Sequence, residues 1–379
     1  MLKIIITNAT IVTMSHVIDL IIKRGYVYVE NGVIKAVGPG EPPPEYEYAD
    51  YVIEGKGKIV TPGLCIGYFD IYQYLLRFSN KKKITELLST ISRNDTYYIT
   101  LITLAGLLMK GISCIGLVLS KHHEFAARAV KDLYILTRIL IPATTLQNIP
   151  NAESIFRKIV AIEPKVIKPG IIINKETLTP KLLNLAKSTN SHIYLLGDIQ
   201  RDKVKEILGQ GYGVTVLDPD PMHVKELSSI KGLNLVVTDR SLSSWCPNSG
   251  IGVFEENIDI FDNCKKLLEL GKSSIDIFAS LTTWGAAALG LSNMGSIEPG
   301  RIALLSIFNI QNPQVWPIAG DMESLFRALV SGNVPVETVI IRDDIVIDNS
   351  ELLTAGESVL QKARDRISDI LKSLDLEVF

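Results

Sequence analysis

Short apolar runs separated by polar turns fill the first sixty residues, and the runs are rich in β-branched and aromatic side chains. Leu2-Lys3-Ile4-Ile5-Ile6, Asn8-Ala9-Thr10-Ile11-Val12 and Tyr26-Val27-Tyr28-Val29 predict strands. Asn31-Gly32 supplies a hairpin turn into Val33-Ile34-Lys35-Ala36-Val37-Gly38. Residues 38–48, with Pro42-Pro43-Pro44, read as a spacer. From about 60 to 295 the pattern changes, and apolar runs alternate with stretches of helical periodicity. Strands are expected over 111–119, 134–141, 171–173, 192–197, 213–217 and 233–238. Helices are expected over 84–109, 124–133, 182–188, 203–209, 223–230, 258–270 and 274–289. Thr179-Pro180 marks one helix start, with Thr as N-cap and Pro at the first helical position. This alternation is that of a parallel α/β barrel. An amphipathic helix is expected from 351 to about 374.

Composition narrows the class. With 379 residues the chain is long enough for one large barrel plus an accessory domain. Hydrophobic residues make up 47% and charged residues 21%, enough for a sizeable core. The formal net charge of -2 argues against nucleic acid or an anionic membrane surface as a partner. The run 98–120 is interrupted by Lys110 and by Gly111-Ile112-Ser113, a turn into a strand, so no membrane span is expected there. The N-terminus lacks the sequence of a signal peptide, and the expected location is cytoplasmic. No two of Cys65, Cys114, Cys246 and Cys264 have the spacing of a zinc knuckle or redox dithiol. Cys65 and Cys114 lie in apolar runs and read as buried small hydrophobes.

Three motifs carry a resemblance. The stretch Ile59-Val60-Thr61-Pro62-Gly63-Leu64-Cys65-Ile66-Gly67-Tyr68-Phe69-Asp70 resembles the first barrel strand of the amidohydrolase superfamily, where hydrophobic-x-Pro-Gly leads to a His-x-His pair. The run Thr282-Thr283-Trp284-Gly285-Ala286-Ala287-Ala288-Leu289-Gly290, followed by 295–303, resembles the family's closing signature, with Leu304 where an Asp is usual. The N-terminal "Asn-Ala-x-hydrophobic-hydrophobic-Thr" and "Asn-Gly-x-Ile-x-x-Val-Gly" look like half of the family's small β-sandwich. Residues 337–341 and 344–347 look like its last hairpin. The pattern is nearest to the chlorohydrolase and cytosine- or adenosine-type deaminase branch. The resemblance implies a (β/α)8 barrel over 60–296 and a composite β-sandwich from 1–59 and 297–350, followed by a C-terminal helix over 351–379.

It also implies a divalent zinc or iron held at strand ends, mostly by imidazoles, that generates hydroxide from bound water. The matching positions hold other residues. The strand 1 histidines fall on Tyr68 and Asp70. The strand 5 ligand falls on Tyr194 and its companion acid on Gly197, with His192 at an earlier position. Around strand 6 there is no His from 193 to 222. Strand 8 is shortened to about Ser249-Gly250-Ile251, with Glu255 and Glu256 as the nearest acids, and a substrate-facing His maps to about Ile173. The chain has five histidines in all, so the expectation is that no metal cofactor is bound.

Tyr68 and Asp70, two residues apart, should share a face at the barrel mouth, where Tyr194 and Asp198 can join them; His192 shares a strand face with Tyr194 and Asp198 and reads either as a satisfied interior histidine or as part of a remodelled site. Asp218 and Asp239 fall just after strands, where barrel sites collect residues. These seven candidates allow two readings. One is a polar pocket for a cationic or hydroxylated ligand or a hard ion. The other is a Tyr-rich plug with Asp70 held by a Lys or Arg. Trp245-Cys246-Pro247 reads as a packed loop or an aromatic wall. At the level of function the leading expectation is a non-catalytic protein of the family, serving ligand binding or assembly. The alternative is a divergent hydrolase of C–N bonds with a remodelled Asp/Tyr site. A homo-oligomer, or a partner of an active paralogue, fits the first. Whether the chain is an enzyme stays open at this stage, because fold does not fix activity.

Overall fold

The computed structural model describes residues 2–46, 48–77, 79, 83–143, 149–197, 199–254 and 259–376. The chain opens with β1 (Lys3–Val12), β2 (Ile21–Glu30), β3 (Val33–Pro39), β4 (Tyr51–Glu54) and β5 (Lys58–Pro62). The barrel follows with β6 (Leu64–Asp70), α1 (Ile71–Leu75), α2 (Ile84–Thr90), α3 (Arg93–Leu108), β7 (Ile112–Val118), α4 (His123–Leu133), β8 (Leu136–Pro142) and α5 (Ile149–Ile162). It continues with β9 (Ile167–Asn174), α6 (Pro180–Ser188), β10 (His192–Leu196), α7 (Arg201–Gly209), β11 (Val214–Leu217) and α8 (Val224–Ser228). Next come β12 (Asn234–Val237), β13 (Ser249–Ile251), α9 (Ile260–Glu269), α10 (Ser274–Ser280) and α11 (Thr283–Ala288). The chain ends with β14 (Leu304–Asn309), α12 (Met322–Ser331), β15 (Val336–Ile341), β16 (Asp344–Asp348), β17 (Glu351–Leu352) and α13 (Glu357–Ser373).

Among the described residues, β6 to β13 form one eight-stranded parallel sheet in sequence order. The sheet curls into a nearly closed barrel, beside a separate mixed sheet from the two ends of the chain. The mixed sheet runs β17-β16-β15-β14-β5-β1-β2-β3, with β4 also on β1. The mixed sheet has an apolar cluster of its own, which joins Ile4, Ile6, Val27, Val29, Leu305 and Ile340. The barrel strands are buried along almost their whole length, as strands covered on both faces must be.

The two sheets meet at Pro62-Gly63. β5 pairs with β14 in the mixed sheet, and the next residues begin the barrel. The Gly63 amide donates to Leu304 O at 2.7 Å, and the Cys65 amide to Leu281 O at 2.6 Å. β6 and β7 slip register between Ile66 and Phe69, a bulge at Gly67-Tyr68. Closure between β13 and β6 rests on a bridge between Phe69 and Val253 and on the Val253 amide donating to Tyr68 O at 2.7 Å.

Local chemistry explains the helix starts. Thr179 caps α6 through the Leu182 amide, ahead of Pro180, as the sequence predicts. Ser92 with Asp95, and Asp259 with Asp262, form capping boxes at α3 and α9. Four features depart from the expectation. The stretch expected as one helix over 84–109 breaks at Ile91-Ser92 into α2 and α3. α5 and α12 are helices that the pattern did not single out; α12 is capped by Asp321 and buries Phe326, Leu329 and Val330. The stretch expected as one helix over 274–289 breaks at Leu281-Thr282 into α10 and α11. The last helix begins at Glu357, because Glu351–Leu352 is first spent as an edge strand on β16. Cys65 and Cys114 are buried on neighbouring strands, as expected. No helix among the described residues is long and apolar enough to cross a membrane.

Close packing inside the barrel makes a sharp test. A Cβ on Gly116 would sit 2.4 Å from the backbone oxygen of Gly67, whereas one on Gly106, on the exposed side of α3, would meet nothing. Gly116→Ala is expected to cost about 1–3 kcal/mol through overpacking. Gly106→Ala is expected to gain about 1 kcal/mol of helix propensity. Urea denaturation of the two variants checks both signs.

Candidate functional site

The ends of the barrel strands gather one group of candidates. Tyr68 and Asp70 lie at the end of β6, Asp218 directly after β11, and Asp239 after β12. The bulge at Gly67-Tyr68 breaks the simple alternation on which the placement of Tyr68 and Asp70 rested. The Tyr68 ring is buried and stacks on Phe254, with centroids 5.5 Å apart and planes 4° from parallel. The Arg240 guanidinium covers the other ring, its carbon 3.3 Å from the Phe254 centroid. Burial raises the Tyr68 phenol far above its ordinary range. Asp70, Asp218 and Asp239 push it the same way and Arg240 opposes them, so these charges all act on one phenol.

Asp70 is only partly exposed and carries the most informative shift. Its Oδ1 accepts from the Tyr72 amide at 3.0 Å and the Gln73 amide at 3.2 Å, capping α1. Burial nevertheless pushes its pKa up to about 6, against the pull of those two amides. The partner expected for Asp70, a Lys or Arg, is thus replaced by backbone donors at a helix start. Asp218 is held from the side: Thr238 N at 2.8 Å, Thr238 Oγ1 at 3.0 Å and Ser241 Oγ at 2.5 Å all donate to it. That grip explains how Asp218 keeps a φ of 50°. Burial raises its pKa despite the donors. Asp239 accepts from the Phe254 amide at 2.7 Å and so ties the loop after β12 to the loop after β13. Trp245 is a packed loop residue, its Nε1 donating to Ser280 Oγ at 3.0 Å.

Two candidates belong elsewhere. His192 is the first residue of β10 and sits at the opposite end of the barrel, buried against Gly213 and Gly290. Gly290 has a φ of +66°, and a Cβ there would lie 2.4 Å from His192 Nδ1. Thr215 Oγ1 spends its proton on Ala288 O at 2.7 Å, so His192 Nε2 must donate to Thr215 Oγ1 at 2.8 Å. Burial, then Arg138, hold the His192 pKa well below the usual range, and the ring is neutral. Tyr194 lies fully inside the barrel, edge-on to His192. Its hydroxyl points at Ala288 O (2.9 Å) and Gly67 O (3.1 Å), so it is a core plug rather than a wall of the mouth. His192 and Tyr194 lie edge to face near the barrel floor, not at its mouth. Asp198, Glu255 and Glu256 lie outside the described residues.

Arg240 and Phe254 are the mouth residues that the sequence reading missed. Both follow barrel strands directly, which is the signal that could have found them. His122 is the N-cap of α4 and His123 is its first residue. His123 is buried with Nε2 on Leu119 O at 2.9 Å, and burial pushes its pKa down to about 4.

A pH test follows with opposed signs. His123 and His192 are depressed in the fold, so the unfolded chain binds protons that the folded chain refuses. Their stability contribution is complete above the ordinary imidazole pKa of about 6.5 and is lost as pH falls toward 4. Asp70 is raised, so its contribution is complete below about 3.9 and is lost as pH rises through 6. His123→Gln should therefore flatten the fall of the urea midpoint between pH 6.5 and 4.5, and Asp70→Asn should steepen it. Unchanged profiles would contradict these assignments.

No family model matches the chain. A 5-methylthioadenosine/S-adenosylhomocysteine deaminase from Pyrococcus furiosus is 24% identical over 420 residues, covering 93% of this chain and 97% of that protein. A 5′-deoxyadenosine deaminase from Methanocaldococcus jannaschii is 24% identical over 417 residues, covering 93% and 97%. The structure of an adenosine deaminase from Xanthomonas campestris with bound zinc superposes with a TM-score of 0.78 at 17% identity, covering 98% of this chain and 99% of that one. The expectation of no cofactor is overturned by that comparison, since the neighbour shares the fold and holds zinc. Among the described residues, however, no three His, Cys, Asp or Glu side chains come together to hold an ion. Those residues alone do not make the zinc site that the fold implies. The homologues point to hydrolytic deamination at C–N bonds. On its motifs, its fold and these relatives, the chain belongs to the amidohydrolase superfamily.

Proposed function

We propose that this protein hydrolyses an exocyclic C–N bond, releasing ammonia from an aminopurine nucleoside-like substrate. The observation that carries the reading is Asp70. It is a carboxyl at the end of the first barrel strand whose pKa lies at about 6, near the value a general acid–base needs at neutral pH. In the reaction, water adds to the ring carbon as its proton passes to the Asp70 carboxylate. The same proton then goes to the amino nitrogen, the C–N bond breaks, and ammonia leaves. In this reading the Tyr68 hydroxyl, which burial keeps protonated, serves as a donor to the substrate ring. The relatives named for adenosine-type substrates support this class. The reading includes a divalent metal because the zinc-holding neighbour shares the barrel. The described residues do not by themselves assemble its ligands.

A second reading, binding without turnover, is favoured by one observation. Both oxygens of Asp218 and Oδ1 of Asp70 already accept hydrogen bonds from the protein, so part of the acidic group is committed to structure.

The test is ammonia release from adenosine and 5′-deoxyadenosine by protein purified with zinc or iron, with metal content measured in parallel. The expected result is turnover with kcat/KM rising through a pH of about 6. Asp70→Asn caps α1 as well as Asp does, yet should lower kcat/KM by about 100-fold or more. Saturable nucleoside binding without ammonia from metal-loaded protein would favour the second reading and sink the first.

A further inference from the structure

The floor of the barrel holds a feature that the mouth chemistry does not use. A cavity of about 430 Å³ opens where β9 and β10 begin, beside the loop that leaves α11. Arg138, Lys168, Thr189, Ser191 and His192 are among its lining residues, and none of the lining residues is acidic. Arg138 is only 5% exposed. Its Nε donates to Leu289 O at 2.5 Å and its Nη1 to Pro169 O. No carboxylate pairs with it among the described residues, and burial pushes its pKa down to about 10. A guanidinium carries five N–H donors, so three are left over. Lys168 Nζ donates to Pro164 O at 2.7 Å and keeps two more. The Lys168 pKa is lowered by burial and then by the charges of Arg342 and Arg138, the second of which shares the cavity with it.

A buried guanidinium without a counter-charge is unfavourable unless something supplies the charge. The two carbonyls offer partial dipoles only. The hydroxyls nearby cannot add donors, because Thr189 Oγ1 donates to Leu185 O at 2.7 Å and Ser191 then donates to Thr189 at 2.6 Å. Asn190 also lines the cavity, and the cationic donors left over are those of Arg138 and Lys168, a fork and a point charge. That pairing matches a tetrahedral oxyanion.

We propose that the barrel floor is a binding site for a phosphate group, free or carried on a small molecule, held by Arg138 and Lys168. It lies at the other end of the barrel from Asp70 and is independent of the deaminase reading. The phosphate oxygens take the N–H groups that the protein leaves unused, and Arg342 strengthens the field without needing contact.

Isothermal titration at low ionic strength and neutral pH, with inorganic phosphate in one arm and ribose 5-phosphate in the other, tests this. The expected result is one saturable site per chain in at least one arm. The arm that saturates tells whether the group is bound free or on a carrier. Lys168→Met is on a half-exposed side chain and should fold; it is expected to weaken binding about tenfold or more. Arg138→Met should abolish binding, and if it fails to fold, Lys168→Met decides alone. Asp70→Asn, at the far end, should bind as the parent does. No saturable binding in either arm at millimolar ligand, or equal affinity in Lys168→Met and the parent, overturns the proposal.

Discussion

The last carbonyls of α11 end inside the barrel, and everything around them is arranged to receive them. A helix terminus leaves its final C=O groups without intrahelical partners, and burying them unpaired is costly. Here Ala288 O takes the hydroxyls of Tyr194 and Thr215, and Leu289 O takes the Arg138 guanidinium. Three different barrel strands thereby reach one helix end. His192 hands a proton to Thr215, and Gly290 turns the chain away where no side chain would fit. The floor is a satisfied polar network within an otherwise apolar interior, and such networks specify one arrangement strongly. The family's Thr-x-x-Gly-Ala-x-x-Leu-Gly signature is, in physical terms, the sequence of that plug.

The floor gives the barrel an electrical polarity. Arg138 and Lys168 sit at the strand starts, with Arg342 close enough to act on Lys168, whereas Asp70, Asp218 and Asp239 sit at the strand ends. Acids at the mouth suit proton transfer and recognition of amino-bearing rings. Cations at the floor suit an oxyanion. The apolar and aromatic layers between them, with Tyr194 across the middle, separate the two fields.

Much of this was legible in the residues. Pro62-Gly63 located the first barrel strand, Thr179-Pro180 a helix start, and the short strand Ser249–Ile251 fell where the family pattern put it. α5 was not seen, because Pro150 and Asn151 make its start read as a loop. The site was harder. Side-chain alternation put His192 and Tyr194 on one strand face, but alternation says which face a residue takes and not which end of the strand it occupies. Two residues of strand decide between mouth and floor. The bulge at Gly67-Tyr68 is equally silent in sequence, because an extra residue in a strand looks like any other. The missing imidazoles were read as the loss of a cofactor, and the zinc-holding relative of the same fold corrects that step.

The seam between the last and first barrel strands has a consequence for how the molecule deforms. Every other neighbouring pair of barrel strands shares a ladder, whereas among the described residues a single bridge and one amide bond join this pair, supplemented by the Tyr68–Phe254 stack and its Arg240 cover. Closure at the seam therefore depends on side chains more than on main chain. Anything that slides against those rings competes with, or reinforces, the latch that sets the circumference of the barrel. The rings that face the mouth are therefore also the fasteners of the cylinder wall.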